Sequence, residues 1–428
     1  MALTLFIATL VLFAIGVPIA FALAMGASIA VLASGRYPQL VVFKEMFTGL
    51  DSFPLMAVPF FILAAELMSG GALTVVLLRF AAQFVSHLRG GLGYANVLSL
   101  TLFSGISGSA MADVAGPGAM MSRMMEKAGY ERSYAAALTA STAIVGPIIP
   151  PSIIMIIYAL QDENVSVGTL FMAGFVPGAM IASAMAATNW WACRRRSGHA
   201  TDGPPPLREI LRNTWQALPA LMLIVIIIVG IRFGVFTPTE ASVVAVFYAL
   251  VCGKWIYRTL RWSAVPGILS RAALLTAAVL LIVGASAAFA WILTIERVPQ
   301  TLAETLVGWN LDPLMFLLAV NVLLLLFGIF LEPLPGVMIL VPILAPIAAS
   351  LGIDPVHFAI VVIVNLTLGM ITPPVGGLLF VTSVTVKVGM TALIRELPPF
   401  LVAHLVVLVL LTLFPALSTW LPYALGFR

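Results

Sequence analysis

Two six-residue stretches carry the clearest chemical signal in this chain. Gly146-Pro147-Ile148-Ile149-Pro150-Pro151 recurs 223 residues later as Gly369-Met370-Ile371-Thr372-Pro373-Pro374, and Gly105-Ile106 and Gly328-Ile329 stand at the same offset. Proline has no backbone N–H and cannot continue a helical ladder, so each stretch interrupts an apolar run. In a membrane the freed backbone groups need partners from protein or ligand. Two such breaks in matching halves point to the binding site of a transporter.

The residues around the breaks are mostly oxygen donors. The first candidate hairpin tip reads Ser104-Gly105-Ile106-Ser107-Gly108-Ser109-Ala110, with Asp113 close behind. Hydroxyls and unpaired carbonyls are hard donors that suit Na⁺, whereas half-helix N-termini favour an anion. One arrangement can therefore hold a cation beside a carboxylate. The sodium candidates are Ser104, Ser107, Ser109, Thr142, Gly146, Gly328, Asn365, Thr367, Gly369 and Thr372. The candidates facing a carboxylate substrate are Ser107, Gly108, Ser109, Asp113, Pro150, Pro151, Thr372, Pro373 and Pro374. Thr372 and Asn365 lead us to expect more side-chain oxygen at the second break, and hence two inequivalent ion sites. A structural reading stands beside each of these. A Ser/Gly cluster also packs helices closely. Asp113 is a functional candidate by its depth, and equally a brace for the hairpin. Glu332, the only ionisable group of the second tip, reads as a brace at least as well as a ligand.

Other motifs are excluded. The four histidines, at 87, 199, 357 and 404, show no ligand spacing, and Cys193 and Cys252 stand alone, so neither a metalloenzyme nor a disulfide framework is indicated. Ser107 and Ser109 lack the GxSxG elbow of a hydrolase. Thr237-Pro238-Thr239-Glu240 reads as a helix start, with proline and an acid in the first turn. No run resembles a nucleic-acid-binding tract.

The elements that must position these residues are membrane helices. The 428 residues are 62% hydrophobic and only 9% charged, against about 25% charge in soluble domains. Apolar runs of membrane-spanning length recur throughout. We expect an all-α polytopic membrane protein with five crossings per half. The first repeat covers 1–192, with scaffold helices in 1–70, an interfacial helix at 73–89, a re-entrant hairpin at 91–127, a broken helix at 133–160 and a helix at 166–192. A cytoplasmic linker follows at 193–213. The second repeat covers 214–428, with scaffold helices in 216–254, an interfacial helix at 256–272, a helix at 275–293, a hairpin at 313–350, a broken helix at 355–386 and a helix at 398–421.

Charge sets the orientation. Arg194, Arg195, Arg196, Arg208 and Arg212 crowd the linker, and positive-inside bias makes it cytoplasmic. Five crossings before it place the N-terminus outside, and both termini periplasmic. On this count 16 of the 21 Lys and Arg are cytoplasmic. An odd number of crossings per half inverts the two repeats. Their hairpins then enter from opposite sides and their tips are expected to meet near the midplane, each beside one broken helix.

Several motifs together resemble the large membrane subunit of tripartite ATP-independent periplasmic (TRAP) transporters. They are Ser107-Gly108-Ser109-Ala110-x-Ala112-Asp113, Gly146 to Ser152, Thr237-Pro238-Thr239-Glu240-Ala241 and Ile371-Thr372-Pro373-Pro374-Val375-Gly376. Pro59-Phe60-Phe61-Ile62-Leu63-Ala64 and Gly352-Ile353-Asp354-Pro355 extend the resemblance over nearly the whole chain. It implies an elevator-type secondary transporter of the bacterial inner membrane, with hairpins and broken helices sliding against a fixed scaffold. The implied partners are a separate small four-helix membrane subunit and a soluble periplasmic binding protein. The implied function is import of a small organic acid driven by sodium, without ATP, enzymatic activity or a cofactor other than Na⁺ as coupling ion. A stand-alone Na⁺- or H⁺-coupled carboxylate transporter is the alternative, and a channel or membrane scaffold a distant one.

Overall fold

The computed structural model describes residues 1–68, 72–195, 205–308 and 312–427. Arg196 and His199, in the expected linker, lie outside the described residues, as does Arg428.

Among the described residues the chain is helical and without strands. The first half comprises α1 (Ala2–Ala14), α2 (Ile19–Ser34), α3 (Leu40–Leu50), α4 (Ala57–Met68), α5 (Ala72–Val85), α6 (Gly91–Ser107), α7 (Ala110–Asp113), α8 (Ala119–Lys127), α9 (Arg132–Ala143), α10 (Ile153–Gln161), α11 (Val167–Ala173) and α12 (Phe175–Arg195). The second comprises α13 (Leu207–Arg232), α14 (Pro238–Val251), α15 (Val265–Ile295), α16 (Val298–Gly308), α17 (Pro313–Phe330), α18 (Pro333–Ser350), α19 (Pro355–Gly369), α20 (Gly377–Val386), α21 (Met390–Glu396), α22 (Pro398–Leu413) and α23 (Ala416–Ala424). Among the described residues 6 helices are long and apolar enough to cross a membrane, or up to 9 spans if each bent pair counts as one. Many flanks are apolar yet exposed, such as Leu3, Leu274 and Val384. Such surfaces suit lipid, which is as apolar as a leucine side chain and imposes no penalty for leaving them uncovered.

Proline punctuation explains most boundaries. Pro238, Pro313, Pro333, Pro355 and Pro398 stand in the first turn of their helices, where the missing N–H is unneeded. Thr237 accepts from the Glu240 N–H at 3.3 Å, and Glu240 accepts from the Thr237 N–H at 2.8 Å. This reciprocal box closes the start of α14.

Two elements differ from the sequence reading. The expected interfacial helix at 256–272 and the separate helix at 275–293 give way to the 31-residue α15. Within α15, Arg271 Nε donates to Glu66 Oε2 on α4 at 2.8 Å. With its charge paired and no proline after Pro266, the helix runs on. The interfacial-sized helix of the second half is instead α16, 298–308, which the sequence reading did not identify. Displaced by the 223 offset, the α15 stretch corresponds to α3 and α4, which are bent by 68°. Asp51-Ser52-Phe53-Pro54 causes that bend, because a proline disfavours helix in the residue before it.

The packing order places the breaks at the centre. Each broken helix lies against the hairpin of its own half, α9 on α6 and α8, and α19 on α17 and α18. Beyond each break the chain crosses over. Half-helix α10 packs on α18, while α20 packs on α7, α8 and the turn between them. The broken helices thus bridge the two hairpins.

Candidate functional site

The first hairpin turns on a glycine. Gly108 has φ +60°, a left-handed conformation that only glycine adopts without strain. A Cβ there would also lie 2.5 Å from the Pro151 carbonyl oxygen, so the turn is pressed onto the first break. Ser109 then caps α7, accepting from the Ala112 N–H at 3.4 Å. From the far side of the turn Asp113 points back and is fully buried. Ser104 Oγ lies 3.0 Å from Asp113 Oδ2, and Ser107 Oγ donates to Oδ1. The break passes directly over this carboxylate, since a Cβ on Gly146 would stand 2.7 Å from Oδ2. Ser141 Oγ and Thr142 Oγ1, one turn earlier on α9, are buried without a hydrogen-bond partner. Ser152 closes the break by donating to the Pro147 carbonyl at 2.5 Å and capping α10 through the Met155 N–H at 3.2 Å.

The second break is built with less charge. Gly328 and Gly369 cross backbone to backbone, with a Cβ on Gly328 reaching 2.9 Å from the Gly369 Cα. The Gly376 N–H donates to the Ile329 carbonyl at 3.3 Å, tying the break to the second tip. The Asn365 amide donates to the Asn321 carbonyl at 3.0 Å and to its side-chain oxygen at 2.7 Å. Asn365 Oδ1 remains buried and without a partner. Thr367 and Thr372 direct their protons to the carbonyls of Val364 and Leu368 at 2.8 and 3.0 Å, leaving oxygen lone pairs as acceptors. Glu332 is exposed, with no side-chain cap bond to α18.

A buried carboxylate held by two serine hydroxyls thus stands under the first break, while the second break carries amide and hydroxyl oxygens only. The 223 offset shows why: Asp113 corresponds to Gly336, where a Cβ would approach Leu366 to 2.9 Å. Thr142 corresponds to Asn365, so each break keeps one buried, unpartnered oxygen at the same place.

The two breaks also differ in access. Residues 144–152 are all buried, whereas Pro374 is exposed and Thr372, Pro373 and Val375 are half-buried. Across from them α7 passes into a π-helical turn, Val114–Gly118, containing Pro117. Such widened turns recur at functional sites. Ala112, Ala115 and Gly116 are exposed there, and a Cβ on Gly116 would meet open space. Met111 reaches within 3.8 Å of that position on Gly377 at the head of α20. The accessible wall thus joins the first hairpin to the second break. The Gly116-Pro117-Gly118 run was the available sequence signal for this turn. Asn321, a lone amide in the apolar α17 that donates to Thr412 Oγ1 at 2.9 Å, was a second unused signal.

Comparison with known proteins gives one answer. Residues 6–417 match the family model described as tripartite ATP-independent periplasmic transporter, DctM component. The chain is 39% identical to the sialic acid TRAP transporter large permease protein SiaM of Vibrio cholerae, covering 95% of each chain. It is 38% identical to the C4-dicarboxylate TRAP transporter large permease protein DctM of Rhodobacter capsulatus, covering 96% of each. It is 36% identical to the 2,3-diketo-L-gulonate TRAP transporter large permease protein YiaN of Escherichia coli, covering 94% and 95%. These relatives are transporter permeases, not enzymes. In fold it resembles the crystal structure of the Alcanivorax borkumensis YdaH transporter, with TM-score 0.64, 16% identity and coverage of 90% of this chain and 89% of that one.

Proposed function

The chain belongs to the DctM-component family of tripartite ATP-independent periplasmic transporters, a family of multi-pass membrane proteins, and from that premise we propose that it imports a small carboxylate by coupling to sodium. The observation that carries this reading is the buried Asp113 carboxylate, held by Ser104 and Ser107 beneath Gly146. An ionisable group at membrane depth is retained for function or for bracing, and the unpartnered Ser141 and Thr142 oxygens on the half-helix that leads into the same break favour function. Asp113, Ser104, Ser107, Thr142 and freed carbonyls near Gly146 supply an oxygen cage of the kind that takes Na⁺. The set around Asn365, Thr367, Gly369 and Thr372, with Gly328, supplies a second and neutral one.

The carboxylate substrate is best received on the accessible wall, where Ser109, Thr372, Pro373 and Pro374 stand near the π-helical turn. No basic side chain belongs to the candidate set, so backbone N–H groups, hydroxyls and bound Na⁺ would neutralise the substrate. Pro150, Pro151 and Gly108, which are buried, then shape the site from behind.

The matched register of helices at an offset of 223 residues supports two repeats of inverted topology. The crossover of α10 and α20 onto opposite hairpins supports a single mobile body made of both hairpins and both broken helices, sliding against a scaffold as in an elevator. Membership of a tripartite periplasmic transporter family, with relatives named as large permease proteins, supports a small membrane subunit and a periplasmic binding protein as this chain's partners. Both termini are read as periplasmic.

The test is uptake by proteoliposomes holding this chain with its membrane partner. Transport of the ligand of the cognate binding protein should need that protein and an inward sodium gradient. Uptake without the binding protein would favour a stand-alone carrier, and uptake indifferent to sodium would overturn the coupling.

A further inference from the structure

Away from the breaks, α12 and α22 border an open groove of about 1050 Å³. Its walls are Val176, Ala179 and Ala187 on α12 and Val402, Val406 and Leu410 on α22. Val402 is 60% exposed and Val406 53%. Of its two hydroxyls, Thr188 is turned inward to the Ala184 carbonyl at 2.8 Å. No acidic side chain lines it. The groove is thus almost purely apolar along its length.

One end differs in kind. Trp191, Pro398 and Pro399 line it; beyond Trp191 the chain turns basic, and Glu396 and then Arg395 stand before Pro398. Arg194 lies over the Trp190 ring, 3.6 Å from its centroid, and Arg89 donates to the Arg194 carbonyl at 3.3 Å. Arg395, exposed, precedes Pro398 by three residues. Stacking on the indole fixes the Arg194 guanidinium at the groove mouth while its N–H edges stay available. A tryptophan belt followed by arginine is the arrangement met at a membrane–water boundary.

We infer that the α12–α22 groove is a binding site for an anionic phospholipid, with acyl chain along the groove and phosphate at Arg194 and Arg395. Charge complementarity selects this occupant. A neighbouring helix would satisfy the apolar walls, but it would have no use for a guanidinium held at one end. A zwitterionic lipid would fill the groove with weaker headgroup attraction. The site lies on helices that follow the two breaks, so its occupant would travel with them.

The full chain with its membrane partner, in nanodiscs of equal parts phosphatidylglycerol and phosphatidylethanolamine, provides the test. After gentle detergent extraction, native mass spectrometry should show phosphatidylglycerol retained over phosphatidylethanolamine, by roughly fivefold for each arginine engaged. Arg194→Gln with Arg395→Gln should bring that ratio near one while retaining lipid. Ala187→Trp, or Val406→Trp at a more exposed position, should displace lipid of either kind while leaving thermal unfolding within the wild-type range. Equal retention of the two lipids by the wild type would overturn the proposal. So would unchanged lipid retention in both tryptophan variants, or a crosslinked second copy of the chain across α12 and α22.

Discussion

Ser104 and Asp113 face each other across the first hairpin turn, with Oγ 3.0 Å from Oδ2. Ser104 stands in the last turn of α6 and Asp113 closes α7 beyond the Gly108 turn, so the contact fixes the turn and orients the carboxylate together. Bracing and ion binding, which the sequence left as alternatives for Asp113, are in this geometry compatible. Two serines anchor one side of the carboxylate while the break at Gly146 passes over it.

Asp113→Asn separates the two roles. The amide keeps the size of the carboxyl and can still accept from Ser104 or Ser107, so the hairpin should fold. Loss of the buried charge should weaken sodium dependence by about 10- to 100-fold, the scale seen when a group supporting a metal site is removed. The measurement is initial uptake against sodium concentration, with thermal unfolding as control. An unchanged half-saturation with normal folding would leave Asp113 a brace only.

Ser104→Ala and Ser107→Ala should act on the same property through the same carboxylate. Each removes one hydrogen bond to a buried charged acceptor, worth about 1.5–3 kcal/mol. Because they share Asp113, their effects on stability should not add, and a double-mutant cycle should show coupling of about 0.5–3 kcal/mol. Strict additivity would mean that the two serines do not act through Asp113.

Gly369→Ala tests the second crossing. Its Cβ would be forced into the Gly328 backbone, which has no flexible end to move aside. Overpacking of this kind costs about 1–3 kcal/mol. Gly389→Ala is the matched control, since nothing lies within 4 Å of its added Cβ and its φ is −64°. Thermal unfolding of the two variants in the same detergent should differ clearly, and equal midpoints would contradict the crossing.

The legible part of the fold was the part written in prolines and glycines. The two breaks, the starts of α14, α17, α18, α19 and α22, and the Gly108 turn all rest on residues whose backbone chemistry is local. What the sequence hid was settled by partners far along the chain. The single span of α15 includes Arg271, whose charge is paired by Glu66 from α4, far back in the chain. That the Asp113 carboxylate lies directly under Gly146, 33 residues on, is likewise visible only once the hairpin is packed on the break. The crossover of α10 onto α18 and of α20 onto α7 and α8 has no local signature, because apolar half-helices fit many apolar neighbours.

Replacing Pro373 and Pro374 together by alanine addresses the exposed break. Two backbone N–H groups return, and alanine favours helix by about 3 kcal/mol per residue over proline in a helix interior. The stretch between α19 and α20 should shorten, drawing Thr372 away from the π-helical turn. Uptake should fall at least tenfold while the chain remains inserted and folded. The same change at buried Pro150 and Pro151 should lower stability as well, since residues 144–152 have no room to rearrange. Normal transport in the Pro373/Pro374 variant would show that the break is not needed.

The orientation can be read by cysteine labelling. Cys193 and Cys252 are buried, so both should react slowly with a membrane-impermeant maleimide and leave a quiet background. Asn164 lies in the turn between α10 and α11, where Asp162 Oδ1 accepts from its N–H at 3.1 Å and from its side-chain amide at 2.8 Å. Arg208 lies at the start of α13 and is exposed. Five crossings before the linker put these two positions on opposite sides, with 164 outside and 208 inside. Asn164→Cys should therefore label in intact spheroplasts, and Arg208→Cys only after permeabilisation. Ser166, which caps α11 through the Thr169 N–H at 3.1 Å, offers a second outside position if loss of the Asn164 contacts disturbs the turn. Labelling of 164 and 208 from the same side would remove the odd crossing count, and with it the physical basis for inversion of the two halves.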